Sequence, residues 1–75
     1  MEKWEKRICT DPEIMVGKPV IKGTRITIDF IIELLAHGWT QEQILENYPR
    51  LKKEDITAAL EYSAQALKLE TMYSF

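Results

Sequence analysis

One cysteine, one histidine, three glycines and three prolines are all that 75 residues contain of these types, and each scarcity closes off a class of protein. A lone Cys9 forbids a disulfide within the chain. Cys9 and His37 together fall short of the four ligands that a closed zinc site takes. No apolar run approaches the roughly 18 residues of a membrane span. The opening Met1-Glu2-Lys3-Trp4-Glu5-Lys6-Arg7 is charged and lacks the apolar core of a secretory signal, so a cytoplasmic location is expected. Basic excess is missing too. Lys and Arg number 10 against 12 Asp and Glu, a net charge of −2, with a pI near 5.3. Dedicated nucleic-acid-binding domains usually lie above about 9. Strong non-specific attachment to nucleic acid is therefore not expected, but a local basic patch is still open.

A chain this short makes one domain, residues 1–75, and buries only about 60% of its unfolded surface. With disulfide and metal set aside, self-association is the remaining supplement to a thin core. A dimer is expected, the alternative being an unassisted monomer.

Two regions read differently. Residues 8–26 hold a short β element: Arg7-Ile8-Cys9, a turn at Asp11-Pro12, another at Gly17-Lys18-Pro19, then Val20-Ile21, a turn at Lys22-Gly23-Thr24, and a return along Arg25-Ile26-Thr27. So small a hairpin is barely stable alone and must pack on helices or on another chain. Residues 27–69 form a three-helix core. Ile28, Ile31, Ile32 and Leu35 share one helix face, with Thr27 as its N-cap, Asp29 in the first turn and Gly38 as its stop. Thr40-Gln41-Glu42-Gln43 is a capping box for a second helix, whose buried face is Ile44 and Leu45 and which ends at Asn47-Tyr48-Pro49. A third runs from about residue 53 to 69, with Ile56, Ala59, Leu60, Ser63, Ala64 and Leu67 as its stripe. Residues 70–75 are an apolar tail. The class is mainly α, and the short turn between the second and third helices is compatible with a helix-turn-helix or homeodomain-like domain.

The run Gly17-Lys18-Pro19-Val20-Ile21-Lys22-Gly23-Thr24-Arg25-Ile26-Thr27, with Thr10-Asp11-Pro12 before it, is distinctive. So are Leu35-Ala36-His37-Gly38-Trp39-Thr40, Ile44-Leu45-Glu46-Asn47-Tyr48-Pro49-Arg50-Leu51 and Glu54-Asp55-Ile56-Thr57-Ala58-Ala59-Leu60. Together they resemble domain-of-unknown-function family four-thirty-three, whose members are associated with VapB-type antitoxins. The likeness covers roughly residues 8–67. It implies a winged-helix or homeodomain-like fold and pairing with a PIN-like ribonuclease toxin encoded nearby. One position departs from the family pattern. A hydroxyl residue usually precedes the third helix, where this chain has Lys52, which cannot accept an N–H as a cap; the cost is about 1 kcal/mol unless something compensates.

Catalysis has little to work with. A nucleophilic triad needs three converging groups, and Cys9, His37 and an acid such as Asp11 or Asp29 are the only set. His37 is better explained as a helix-terminal residue beside Gly38. No catalytic, cofactor or metal-binding residue is assigned. Residues 14–28 hold no acid, while Lys18, Lys22 and Arg25 supply positive charge, and Gly17 and Gly23 allow close approach of a phosphate. Alternatively the glycines only shape turns and Arg25 pairs with Asp11 or Asp29. Arg50, Lys52 and Lys53 form a second basic group at the start of the third helix, where a helix-turn-helix meets the major groove. Against that, Glu54 and Asp55 repel phosphate, and no Arg, Asn or Gln occupies this turn for bidentate base contact. Phe30 and Leu34, offset from the first helix's stripe, and Tyr73 and Phe75 in the tail are expected at a protein interface. Three functions follow: an antitoxin-like interaction protein that binds a PIN-like nuclease and operator DNA as a dimer, a stand-alone helix-turn-helix DNA-binding regulator, or a structural protein-interaction module.

Overall fold

Two pairs of small apolar residues, eleven positions apart, start the architecture. In a computed structural model, which describes residues 4–71 and side chains as far as residue 67, Ile8–Cys9 (β1) pairs antiparallel with Val20–Ile21 (β2), in the register Ile8↔Ile21 and Cys9↔Val20. Directly opposed residues share a sheet face, and Ile8 and Ile21 are both buried. The expected return strand is reduced to one bridge, Val20↔Thr27, with Ile21 N donating to Ile26 O at 3.0 Å. Between them Gly23, at φ +79°, turns the chain. The Thr24 hydroxyl locks the turn, donating to Ile21 O at 2.8 Å and accepting from Ile26 N at 3.0 Å.

Three helices follow: Ile28–Ala36 (α1), Gln41–Asn47 (α2) and Lys53–Thr71 (α3). Thr27 caps α1, its Oγ1 accepting from Phe30 N at 3.1 Å. Gly38, at φ +91°, ends it. There Gly38 N donates to Leu35 O and Trp39 N to Leu34 O, the paired bonds of a Schellman motif. The capping box of α2 is complete, with Gln43 N to Thr40 Oγ1 at 3.1 Å and Thr40 N to Gln43 Oε1 at 2.8 Å.

The core joins Ile8, Ile21, Ile28, Ile31, Leu34, Ile44, Leu51, Ile56, Ala58 and Ala59. Two expected faces are rotated. On α1 the buried positions are Ile28, Ile31 and Leu34, while Ile32 and Leu35 are half-buried. Leu34 is therefore a core residue at 9% exposure and not a surface contact, because the Schellman turn brings Trp39 back onto the same cluster. Phe30 is half-buried too, its ring edge-on to Tyr48 at 5.4 Å. On α3 the buried set is Asp55, Ile56, Ala58 and Ala59, with Tyr62 half-buried; Leu60 is 44% exposed, Leu67 60%, and Ala64 is exposed.

The cause of the α3 rotation lies at the chain's start. Trp4–Lys6 form a 3-10 turn that lies against α3. Trp4 stacks edge-on to Tyr62 at 5.0 Å, and its Nε1 donates to Gln65 Oε1 at 3.3 Å. Beside it, Arg7 Nη1 meets Asp55 Oδ1 at 3.0 Å, with the Asp55 side chain almost wholly enclosed. The other carboxylate oxygen, Oδ2, accepts from Lys52 N at 2.9 Å. That bond is the reciprocal half of a capping box, so Asp55 offsets part of the missing hydroxyl before α3. One segment is strained: Met15 and Val16 have φ of 50° and 58° ahead of Gly17, and Val16 is 95% exposed.

Candidate anion-binding site

The turn 22–25 and the α2–α3 linker come from separate parts of the chain, and the fold places them side by side. Arg50 Nη1 donates to Gly23 O at 3.4 Å, a long contact across 27 positions. Between them lies an open concavity of about 500 Å³ lined by Cys9, Ile14, Gly23, Thr24, Arg25 and Arg50. Its lining holds two guanidinium groups and no acid. Neither arginine pairs with a carboxylate among the described residues. Asp11, one candidate partner for Arg25, instead accepts from Glu13 N at 2.9 Å within its own turn. The backbone N–H groups of Gly23 and Arg25 donate to no other described residue. Guanidinium forks and unengaged backbone N–H groups are the donors that hold a phosphate or carboxylate.

The expected basic residues divide. Arg25 and Arg50 converge. Lys22 is exposed in the turn beside Gly23. Lys52 and Lys53 are exposed at the head of α3, two and three positions beyond Arg50. Lys18 is not part of this group: it lines a different groove, with Asp29 and Glu33 of α1. The objection that two acids at the start of α3 repel phosphate is halved. Asp55 is 5% exposed and already holds Arg7 and Lys52 N, which leaves Glu54 as the one exposed carboxylate of that turn.

Cys9 lines the arginine concavity, but His37, Asp11 and Asp29 do not. His37 is exposed at the C-cap of α1. No three His, Cys, Asp or Glu side chains among the described residues are grouped to hold a metal ion, and no described helix is long and apolar enough to cross a membrane. Tyr73 and Phe75 lie outside the described residues. The Arg7–Asp55 and Trp4–Tyr62 contacts were not anticipated. An acid at the third position of a helix whose N-cap is a lysine was the available signal for Asp55.

The chain is similar to known proteins over most of its length. The profile of a family described as "Protein of unknown function (DUF433)" matches residues 8–63. A relative from Sinorhizobium fredii, "Uncharacterized protein y4eO", is 34% identical over 56 residues, 75% of this chain and 25% of its own length. One from Archaeoglobus fulgidus is 62% identical over 24 residues, 32% of this chain and 67% of its own. The chain thus spans a quarter of the first relative and two thirds of the second. The crystal structure of a DUF433 member protein from Anabaena variabilis superposes with a TM-score of 0.78 at 30% identity, covering 84% of this chain and 62% of that one.

Proposed function

The chain belongs to the DUF433 family, and from that premise we propose that it is a non-catalytic binding domain that holds the phosphate backbone of nucleic acid at Arg25 and Arg50. One observation carries the reading. Two basic segments far apart in sequence meet at a concavity with no acid in its lining. Phosphate contacts of this kind position a protein on a duplex without reading its sequence. Lys22 on one side and Lys52 and Lys53 on the other extend the basic surface beyond the concavity. In this reading α2, the short turn and α3 act as a helix-turn-helix, with the exposed Lys52, Lys53 and Thr57 as the groove-facing positions. An acidic pI is compatible with a local patch, because fields from exposed charges die away over about 8–10 Å at physiological salt.

The role that fits is an antitoxin-like regulator. The basic surface binds operator DNA while other surfaces hold a PIN-like ribonuclease.

The test is a salt titration of duplex binding, read by fluorescence anisotropy. Each phosphate contact adds about 0.9 to the slope of log affinity against log salt. Arg25→Ala and Arg50→Ala each lower that slope by about 0.9 and weaken binding roughly 10-fold or more, the worth of a charge-assisted hydrogen bond. Lys18→Ala leaves both unchanged. Absence of binding at low salt, or a slope unaffected by either arginine, removes nucleic acid from the account. Co-expression with a neighbouring nuclease gene, and loss of that nuclease's activity in the complex, tests the antitoxin role.

A further inference from the structure

We propose, on the reading that the Arg25–Arg50 concavity holds phosphate, that Arg7 is a positioning residue of that site: it cancels the charge of the Asp55 carboxylate that caps α3, and so keeps the head of that helix attractive to an anion. Local chemistry creates the need. Lys52 precedes α3 and has no side-chain oxygen with which to cap it. Asp55 makes the bond instead, its Oδ2 accepting from Lys52 N at 2.9 Å. A hydroxyl cap is neutral, whereas an aspartate brings a negative charge into the turn that carries Lys52 and Lys53. Arg7 offsets that charge. Its Nη1 donates to Asp55 Oδ1 at 3.0 Å, where the Asp55 side chain is only 7% exposed.

Arg7 also reaches the other half of the site. Its carbonyl oxygen accepts from Lys22 N at 2.8 Å, at the start of the turn that carries Arg25. One residue thus holds the 22–25 turn through its backbone and the head of α3 through its side chain. Upstream, Arg7 N donates to Trp4 O at 2.9 Å, and Trp4 packs edge-on to Tyr62. The guanidinium is therefore delivered to Asp55 by a segment already seated on α3. Arg7 does not line the concavity; it acts through Asp55. Without it, an enclosed carboxylate stands uncancelled behind the basic surface. Charges in one helical turn lie within about 10 Å of each other, which is about one Debye length at physiological salt. Screening therefore does not hide that carboxylate from a phosphate at Lys52 and Lys53. Removing the carboxylate has the opposite result, since it leaves Arg7 as one more positive charge.

Duplex binding at low salt, read by fluorescence anisotropy, separates this role from a merely structural one. Far-UV circular dichroism checks that each variant is folded at the working temperature. Arg7→Met and Asp55→Asn break the same ion pair and both destabilise the fold, but they move affinity in opposite directions. Arg7→Met leaves the carboxylate and weakens binding about 5-fold or more. Arg7→Gln, neutral but still able to donate to Asp55, gives the same loss and serves if the methionine variant does not fold. Asp55→Asn keeps an acceptor for Lys52 N, removes the charge, and binds at least as tightly as wild type. The double variant Arg7→Met/Asp55→Asn returns to within about 2-fold of wild type. Arg7→Lys, which keeps the charge, does the same. Equal losses in the Arg7 variants and in Asp55→Asn reduce the pair to a support of the fold and overturn the proposal. So does an Arg7→Gln chain that binds like wild type. A wild type that binds no duplex at low salt fails earlier: it removes the phosphate reading of the concavity, and the role of Arg7 with it.

Discussion

Replacing Asp55 by alanine removes two supports with one change. Its Oδ1 holds Arg7 at 3.0 Å, and its Oδ2 holds the backbone N–H of Lys52 at 2.9 Å. Breaking a fully buried ion pair costs about 3–5 kcal/mol. Here the Arg7 side chain keeps 21% exposure, so solvent relieves part of the loss and about 2 kcal/mol is expected. Losing the capping bond adds about 1 kcal/mol. The sum, about 3 kcal/mol, is a large share of the roughly 4–11 kcal/mol that a domain of this length possesses. Urea denaturation followed by far-UV circular dichroism measures it. Asp55→Asn separates the parts: it keeps an acceptor for Lys52 N and loses the charge, so it costs about 2 kcal/mol, the ion-pair share alone. In an Arg7→Met background, Asp55→Ala costs only the capping share, about 1 kcal/mol. The reasoning fails if Asp55→Ala lies within about 0.5 kcal/mol of wild type, the range of ordinary surface changes, or if Arg7 and Asp55 show no coupling.

Other outcomes follow from single contacts. Trp4→Ala loses the edge-on stack with Tyr62 and the bond to Gln65; the expected cost is about 2 kcal/mol in the same urea assay, with loss of near-UV dichroism. Leu34→Ala opens a cavity in the core and costs about 3 kcal/mol; a cost under about 1 kcal/mol would return Leu34 to the surface. Val16→Gly relieves a β-branched residue held at φ 58° and raises thermal stability by about 1 kcal/mol, because the left-handed region costs an L-residue about that much or more.

Much of the fold was legible in the residues. Thr27, Gly38 and the Thr40–Gln43 box set the limits of α1 and the start of α2, since capping is satisfied within a few residues of the chain. The short strands at Ile8–Cys9 and Val20–Ile21 and the turns at Asp11 and Gly23 were legible too, but the pairing of one strand with the other, across 13 positions, was not. The candidate site was half legible. Arg25 and Arg50 each stood out as basic residues near turns, but nothing in the chain stated that they share one concavity.

What the sequence alone determined was local: where helices begin and end, and which residues turn. Those properties depend on backbone sterics and on hydrogen bonds between near neighbours. Only the tertiary structure decided which helix faces are covered. Helical periodicity marks an apolar stripe but not the element that lies on it. When Trp4 and Arg7 settle on α3, Asp55 and Tyr62 are drawn inward, and Leu60, on the expected stripe, stays largely exposed. Burial is a property of pairs of distant surfaces, and no one segment carries it.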